Sequence, residues 1–117
     1  MCPMEIKIIR KPVTMGELEE IAKNQFIDLV KAVVDIQKEI MAIGGELHAD
    51  EEVLLSEQGS RREDVWGINI YVNKPEDERV EFDSMINIKP QFNNRSRGIE
   101  SKAIRDKIIA IIKKLII

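Results

Sequence analysis

Apolar residues along this chain switch between two periods, and the switches mark out its elements. Residues 4–10 alternate and are rich in β-branched side chains (Ile6, Ile8, Ile9), which predicts a short strand ended by Pro12. Thr14-Met15-Gly16-Glu17 has the form of a capping box, in which Thr14 accepts from the Glu17 amide and Glu17 reaches back. Met15, Leu18, Ile21, Ala22, Phe26 and Leu29 follow at helical spacing, so a first helix is predicted over 15–28. Residues 31–43 fit two patterns. They either continue the helix or form two strands, and the β-branched run at 33–36 with the apolar run at 40–43 favours the strands. Gln37-Lys38-Glu39 is then the turn, although it lacks the glycine or asparagine that hairpins prefer.

Asp50-Glu51-Glu52 precedes Val53-Leu54-Leu55, and Gly59 follows. That order predicts a short helix whose positive N-terminal end meets carboxylates. A second hairpin puts Trp66, Ile68, Ile70 and Val72 on one strand face and Val80, Phe82, Ile86 and Ile88 on the next. Pro75 falls in its polar connection and Pro90 at its end. Ser101 is placed to cap a last helix with an apolar stripe of Ile104, Ile108, Ile111, Ile112 and Leu115. The predicted order is β-α-β-β-α-β-β-α. Two hairpins imply a largely antiparallel sheet, and helices on one face of it give a two-layer α+β domain.

Composition supports one domain over 1–117. The 117 residues are 44% hydrophobic and 33% charged, enough for a single core, and with aromatics at 4% that core is aliphatic. No internal repeat, low-complexity segment or domain boundary interrupts the pattern. A net charge of −3 lacks the basic excess of a dedicated nucleic-acid binder. Cys2 is the only cysteine, which excludes an internal disulfide and points to a reducing compartment. The N-terminal residues lack the apolar run of a signal peptide, and no stretch reaches membrane-spanning length, so a cytoplasmic protein is expected.

Several segments together have a familiar look: Val33-Val34-Asp35-Ile36, the run from Ile40 through Gly44-Gly45-Glu46-Leu47-His48-Ala49-Asp50, Trp66-Gly67-Ile68-Asn69-Ile70-Tyr71, Phe82 through Ile88, and Asn94-Arg95-Ser96-Arg97-Gly98. They resemble a family of small bacterial and archaeal proteins catalogued as a domain of unknown function. The resemblance covers nearly the whole chain after Lys11. It implies a natural domain and transfers no activity or cofactor.

Candidate chemistry concentrates in three places. Gly44 to Glu52 holds the sole histidine and four carboxylates in nine residues. If 40–48 is a strand, Glu46 and His48 share a face, with Asp50 just beyond, and the three could ligate Zn, Mn or Fe. Against this, no second histidine exists, and Asp50 to Glu52 suit a helix start. On the second hairpin, Asn69, Tyr71, Glu81, Asp83 and Asn87 share the polar parity, while Ser84 falls on the apolar one, where a buried hydroxyl needs a partner. The loop Asn93-Asn94-Arg95-Ser96-Arg97-Gly98 offers arginine forks near a helix start, a setting for an anion. Its bland alternative is pairing with surface acids. Cys2 has no local activator, and nothing in the spacing selects a Ser–His pair from Ser84 or Ser96 with His48.

The candidate binding residues are therefore Glu46, His48, Asn69, Tyr71, Asp83, Asn94, Arg95 and Arg97, with Glu46, His48 and Asp50 the weaker metal set. The favoured reading is a binding or interaction module for a small anion or a protein partner. Surplus apolar residues at Ile109, Ile116 and Ile117 leave room for a homodimer contact. A metal-assisted hydrolase and a structural or regulatory partner protein are the alternatives. The decisive observation is whether Glu46, His48, Asp83 and Arg95 or Arg97 share a pocket.

Overall fold

A computed structural model describes residues 5–117, so Cys2 lies outside the described residues. The elements are β1 (Lys7–Ile9), α1 (Met15–Asn24), β2 (Leu29–Asp35), β3 (Ile40–Ile43), α2 (His48–Glu57), β4 (Val65–Tyr71), β5 (Val80–Glu81) and α3 (Lys102–Leu115). Short 3-10 turns intervene, among them Arg62–Asp64, Met85–Asn87 and Pro90–Phe92. The strands form one sheet in the order β1-β3-β2-β4-β5, every pair antiparallel. The fold is α+β, with the element order expected from the sequence. No helix among the described residues is long and apolar enough to cross a membrane.

β2 is the central strand, and both of its faces are covered. Val30, Ala32 and Val34 face a core shared with Leu18 and Ala22 of α1 and Ile108, Ile111, Ile112 and Leu115 of α3. Val33 faces a second core with Ala42, Val65, Ile86 and Leu55 of α2. The expectation that helices lie on one face is therefore corrected: α1 and α3 cover one face, while α2 and the Met85–Asn87 turn cover the other. Two-sided burial is also why residues 31–36 show no alternation.

The hairpin reading of 31–43 holds. Asp35 supplies what its turn lacks, accepting from the amides of Gln37 (2.9 Å) and Lys38 (3.0 Å) and from the Ser60 hydroxyl (2.6 Å). The Thr14 capping box forms as expected, and Ser101 Oγ accepts from the Ile104 amide.

Three boundaries differ from expectation. The first helix stops at Asn24 rather than at 28, and the chain reverses through Ile27 at φ 75°. The strand read from the apolar run 40–43 does not continue to 48, the condition for Glu46 and His48 to share a face: it stops at Ile43, because Gly44 turns the chain at φ 92°, where a Cβ would lie 2.9 Å from the Glu5 carbonyl oxygen. The last strand expected to run to Ile88 is only Val80–Glu81. Ser84 then caps a 3-10 turn, its Oγ accepting from the Ile86 amide at 3.3 Å. Ile86 consequently packs in the α2-side core, away from Trp66, Ile68 and Ile70.

Candidate functional site

The early end of β3 decides where His48 goes. It is the first residue of α2 rather than the end of a strand, so it shares no strand face with Glu46. Glu46 and Asp50 are exposed, while His48 is buried. Among the described residues, no three His, Cys, Asp or Glu side chains converge as a metal site. Glu46, His48 and Asp50 thus do not assemble as a ligand set.

The inward stripe of α2 is His48, Glu51 and Leu55, an i, i+3, i+7 series with two titratable members. His48 Nε2 donates to the Ile68 carbonyl of β4 at 2.8 Å, since a carbonyl only accepts. Burial lowers its pKa below the usual 6.5, and the nearby Lys31 ammonium acts in the same direction. Glu51 is fully buried. Its Oε2 accepts from the Gly45 amide at 2.9 Å, and burial raises its carboxyl to about 9 despite that bond. Gly45 is required here, because a Cβ would sit 2.8 Å from Glu51 Cγ.

One further property of α2 sets it apart. Thr14 and Ser101 cap the other two helices, but position 47 is leucine, and no side chain caps α2. The first amides of the helix, those of His48 and Ala49, are left without acceptors among the described residues. They sit at a cleft of about 230 Å³ lined by Lys31, Leu47, His48, Ala49, Asn69, Asp83, Ser84, Met85, Ile86 and Arg97.

This cleft gathers four of the candidates read from sequence: His48, Asn69, Asp83 and Arg97. Asn69 of β4 stands opposite Lys31 of β2 in the sheet register. Its Nδ2 donates to Glu81 Oε1 at 2.8 Å, and its Oδ1 is buried without a partner. Arg97 donates through Nε to Asp83 Oδ1 at 2.8 Å. That pairing leaves the two terminal nitrogens of the guanidinium without an acceptor among the described residues. Lys31 likewise forms no ion pair there, and its Nζ lies 4.9 Å from the Phe26 ring centroid.

The remaining candidates lie elsewhere. Tyr71 donates to Glu81 at 3.2 Å, beyond the cleft. Asn94 is buried and saturated: its Nδ2 serves the carbonyls of Asn87, Ser96 and Gly98, and its Oδ1 takes the Glu100 amide. The anion place in its loop is filled from within, because Glu100 Oε2 accepts from the amides of Arg95 (2.7 Å) and Ser96 (3.2 Å). Those bonds, the Arg95 amide first, hold the Glu100 carboxyl below its usual range. The Arg95 side chain is exposed and does not line the cleft.

Across residues 7–115 the chain matches the model of a family described as protein of unknown function (DUF5674). It belongs to that family. Neither a curated protein nor a solved structure matches it. Membership in DUF5674 carries no residue roles, so the roles rest on the cleft itself. Sequence reasoning missed Lys31, whose signal was a lone cation inside a β-branched strand. It also missed the open end of α2, whose signal was leucine at a position that favours Ser, Thr, Asp or Asn.

Proposed function

We propose that the domain is a binding module for a small anion, seated at the N-terminal end of α2 between Lys31 and Arg97. The observation that carries this reading is the uncapped start of α2 opening on a cleft with two cations that have spare donors. Orphan amides and the helix dipole favour negative charge there, and each cation adds to the field. Asn69, nine-tenths buried with a free oxygen, gives the cleft a polar wall.

Binding is favoured over hydrolysis because the potential catalytic groups are already engaged elsewhere. Ser84 Oγ accepts from the Ile86 amide, and His48 Nε2 serves the Ile68 carbonyl. No hydrogen bond joins Ser84 to His48 among the described residues. The sole cysteine fits a cytoplasmic setting.

A thermal-shift series with acetate, inorganic phosphate and sulfate tests the reading. At least one anion should stabilise the protein saturably, and Lys31→Gln with Arg97→Gln should abolish the effect. Anions that act equally on wild type and the double variant would remove the proposal.

A second reading, a homodimer, has one feature in its favour. A groove of about 350 Å³ runs between α3 and β5, lined by the apolar Met15, Val80, Ile109, Ile112, Ile116 and Ile117 together with the charged Glu76, Arg79 and Lys113. Sedimentation across a concentration series tests it, and a constant monomer mass counts against it.

A further inference from the structure

We propose that the anion is a short-chain carboxylic acid, its carboxylate held by Lys31, Arg97 and the open end of α2, its alkyl part against Leu47, Met85 and Ile86. This rests on the anion-site reading and narrows it to a ligand class.

Charge sets the first limit. Lys31 and Arg97 bring two positive charges to the cleft wall, and Asp83 brings one negative charge. His48 is neutral at physiological pH because burial disfavours its charged form. The balance accommodates a single negative charge. A phosphate dianion would overshoot it and face Asp83 at close range.

Geometry sets the second limit. Asp83 engages only Nε of Arg97, at 2.8 Å, and holds the guanidinium in place. The two terminal nitrogens remain to donate, and a planar fork suits a planar carboxylate. Asp83 is thus a positioning residue as well as a charge filter.

Size and polarity set the third. The cleft has a volume of about 230 Å³. It lies below the range of pockets for drug-sized molecules. Leu47 and Met85 are 56% and 65% exposed, and both line this cleft, with Ile86 between sheet and turn. A wholly polar anion would leave that apolar surface in water, whereas an alkyl tail covers it.

The test is an NMR titration of isotope-labelled protein with acetate, butyrate, octanoate, 1-butanol and inorganic phosphate. Butyrate should shift the amides of His48, Ala49, Asn69 and Arg97 saturably. Butanol and phosphate should need at least tenfold higher concentration. Arg97→Gln and Lys31→Gln should each weaken butyrate about tenfold. Met85→Ser, an exposed change that spares the core, should weaken butyrate but not acetate. Asp83→Asn should raise phosphate affinity at the same amides. If phosphate outcompetes butyrate on wild type, the carboxylate proposal falls while the anion site stands. Binding of octanoate without butyrate also overturns the short-chain proposal. If no anion moves these amides, both readings fall.

Discussion

The Asn87 side chain pairs with the backbone of Gly67 as a neighbouring strand would. Its Oδ1 accepts from the Gly67 amide at 2.8 Å, and its Nδ2 donates to the Gly67 carbonyl at 3.0 Å. β5 pairs with β4 only at Asn69 and Ile70, which leaves the Val65–Gly67 edge uncovered. Asn87 takes the Gly67 groups, and Lys89 Nζ takes the Val65 carbonyl. Side chains of the segment after β5 thus satisfy a strand edge that would otherwise be buried without partners. Gly67 permits the close approach, since a Cβ there would lie 2.6 Å from Ser84 Cβ.

Replacing Asn87 should therefore cost more than one ordinary hydrogen bond. Its Nδ2 also donates to the Arg97 carbonyl at 2.9 Å, which keeps the Ser84 amide as a donor, so Asn87→Ala strands the two buried backbone groups of Gly67. A loss of about 2–4 kcal/mol is expected from that many unsatisfied groups. Urea denaturation measures it. Because Asn87 anchors the backbone of Arg97, which lines the cleft, the variant should also weaken anion binding. A loss under about 0.5 kcal/mol, within the range of ordinary surface substitutions, would contradict the strand-edge role.

Glu51 gives the protein a pH dependence of known sign. Its carboxyl is raised to about 9 in the folded state by burial, against a usual value of 4.5. Between those values the unfolded chain releases a proton that the folded chain keeps. The stability it contributes is full below 4.5, falls as pH rises, and is lost through 9. The slope limit is about 1.4 kcal/mol per pH unit. Glu51→Gln keeps an acceptor for the Gly45 amide and removes the titration. The stability difference between variant and wild type should move in the variant's favour from pH 5 to pH 9, read as urea midpoints. A difference constant across that range would show that Glu51 is already ionised.

Legibility from sequence followed the range of the interactions. Both side-chain caps were readable because Thr14 and Ser101 act on residues three positions away. The 31–43 hairpin was readable from its β-branched runs, although its turn is stabilised by Asp35, before the turn, and by Ser60, far along the chain. The second hairpin was overextended because Ile86 and Ile88 continue the parity of Phe82. Ser84 on the apolar parity was the sign that the strand had ended. Within Asp50-Glu51-Glu52, the exposed Asp50 fits a helix start, but Glu51 points into the sheet through contact with Gly45. Four of eight candidate binding residues reached the cleft. Asn94 did not, since its four bonds stay within its own loop and turn, and no local pattern separates a loop-building asparagine from a ligand-binding one.

Lys89 and Trp66 make an internal reporter. Lys89 Nζ lies 4.0 Å from the Trp66 ring centroid and donates to the Arg62 and Val65 carbonyls. Burial lowers its pKa to about 8. Trp66 is the only tryptophan, so tryptophan fluorescence reports its surroundings, this contact included. Deprotonation removes the cation from the ring face. A fluorescence transition centred near pH 8 is expected in wild type and absent in Lys89→Met. That variant should also lose roughly 1–3 kcal/mol, because two carbonyls lose their donor. A transition of equal midpoint in both proteins would assign it to another group.

His48 should sense occupancy of the cleft. It is the only histidine, so its ring resonances titrate as one species. Burial, with Lys31 beside it, holds its pKa below 6.5 in the free protein. The stability tied to its neutral form is present above 6.5 and is lost as pH falls through the lowered value. A carboxylate seated between Lys31 and Arg97 offsets the Lys31 charge and favours the imidazolium, so butyrate should raise the pKa of His48. Linkage then requires butyrate to bind more tightly as pH falls through the window between the free and bound values. Lys31→Gln should raise the pKa of His48 without ligand and shrink the further rise on adding butyrate. Proton NMR titrations of both proteins, with and without saturating butyrate, give all four values. A His48 pKa unmoved by butyrate that still shifts distant amides would place the carboxylate outside this cleft.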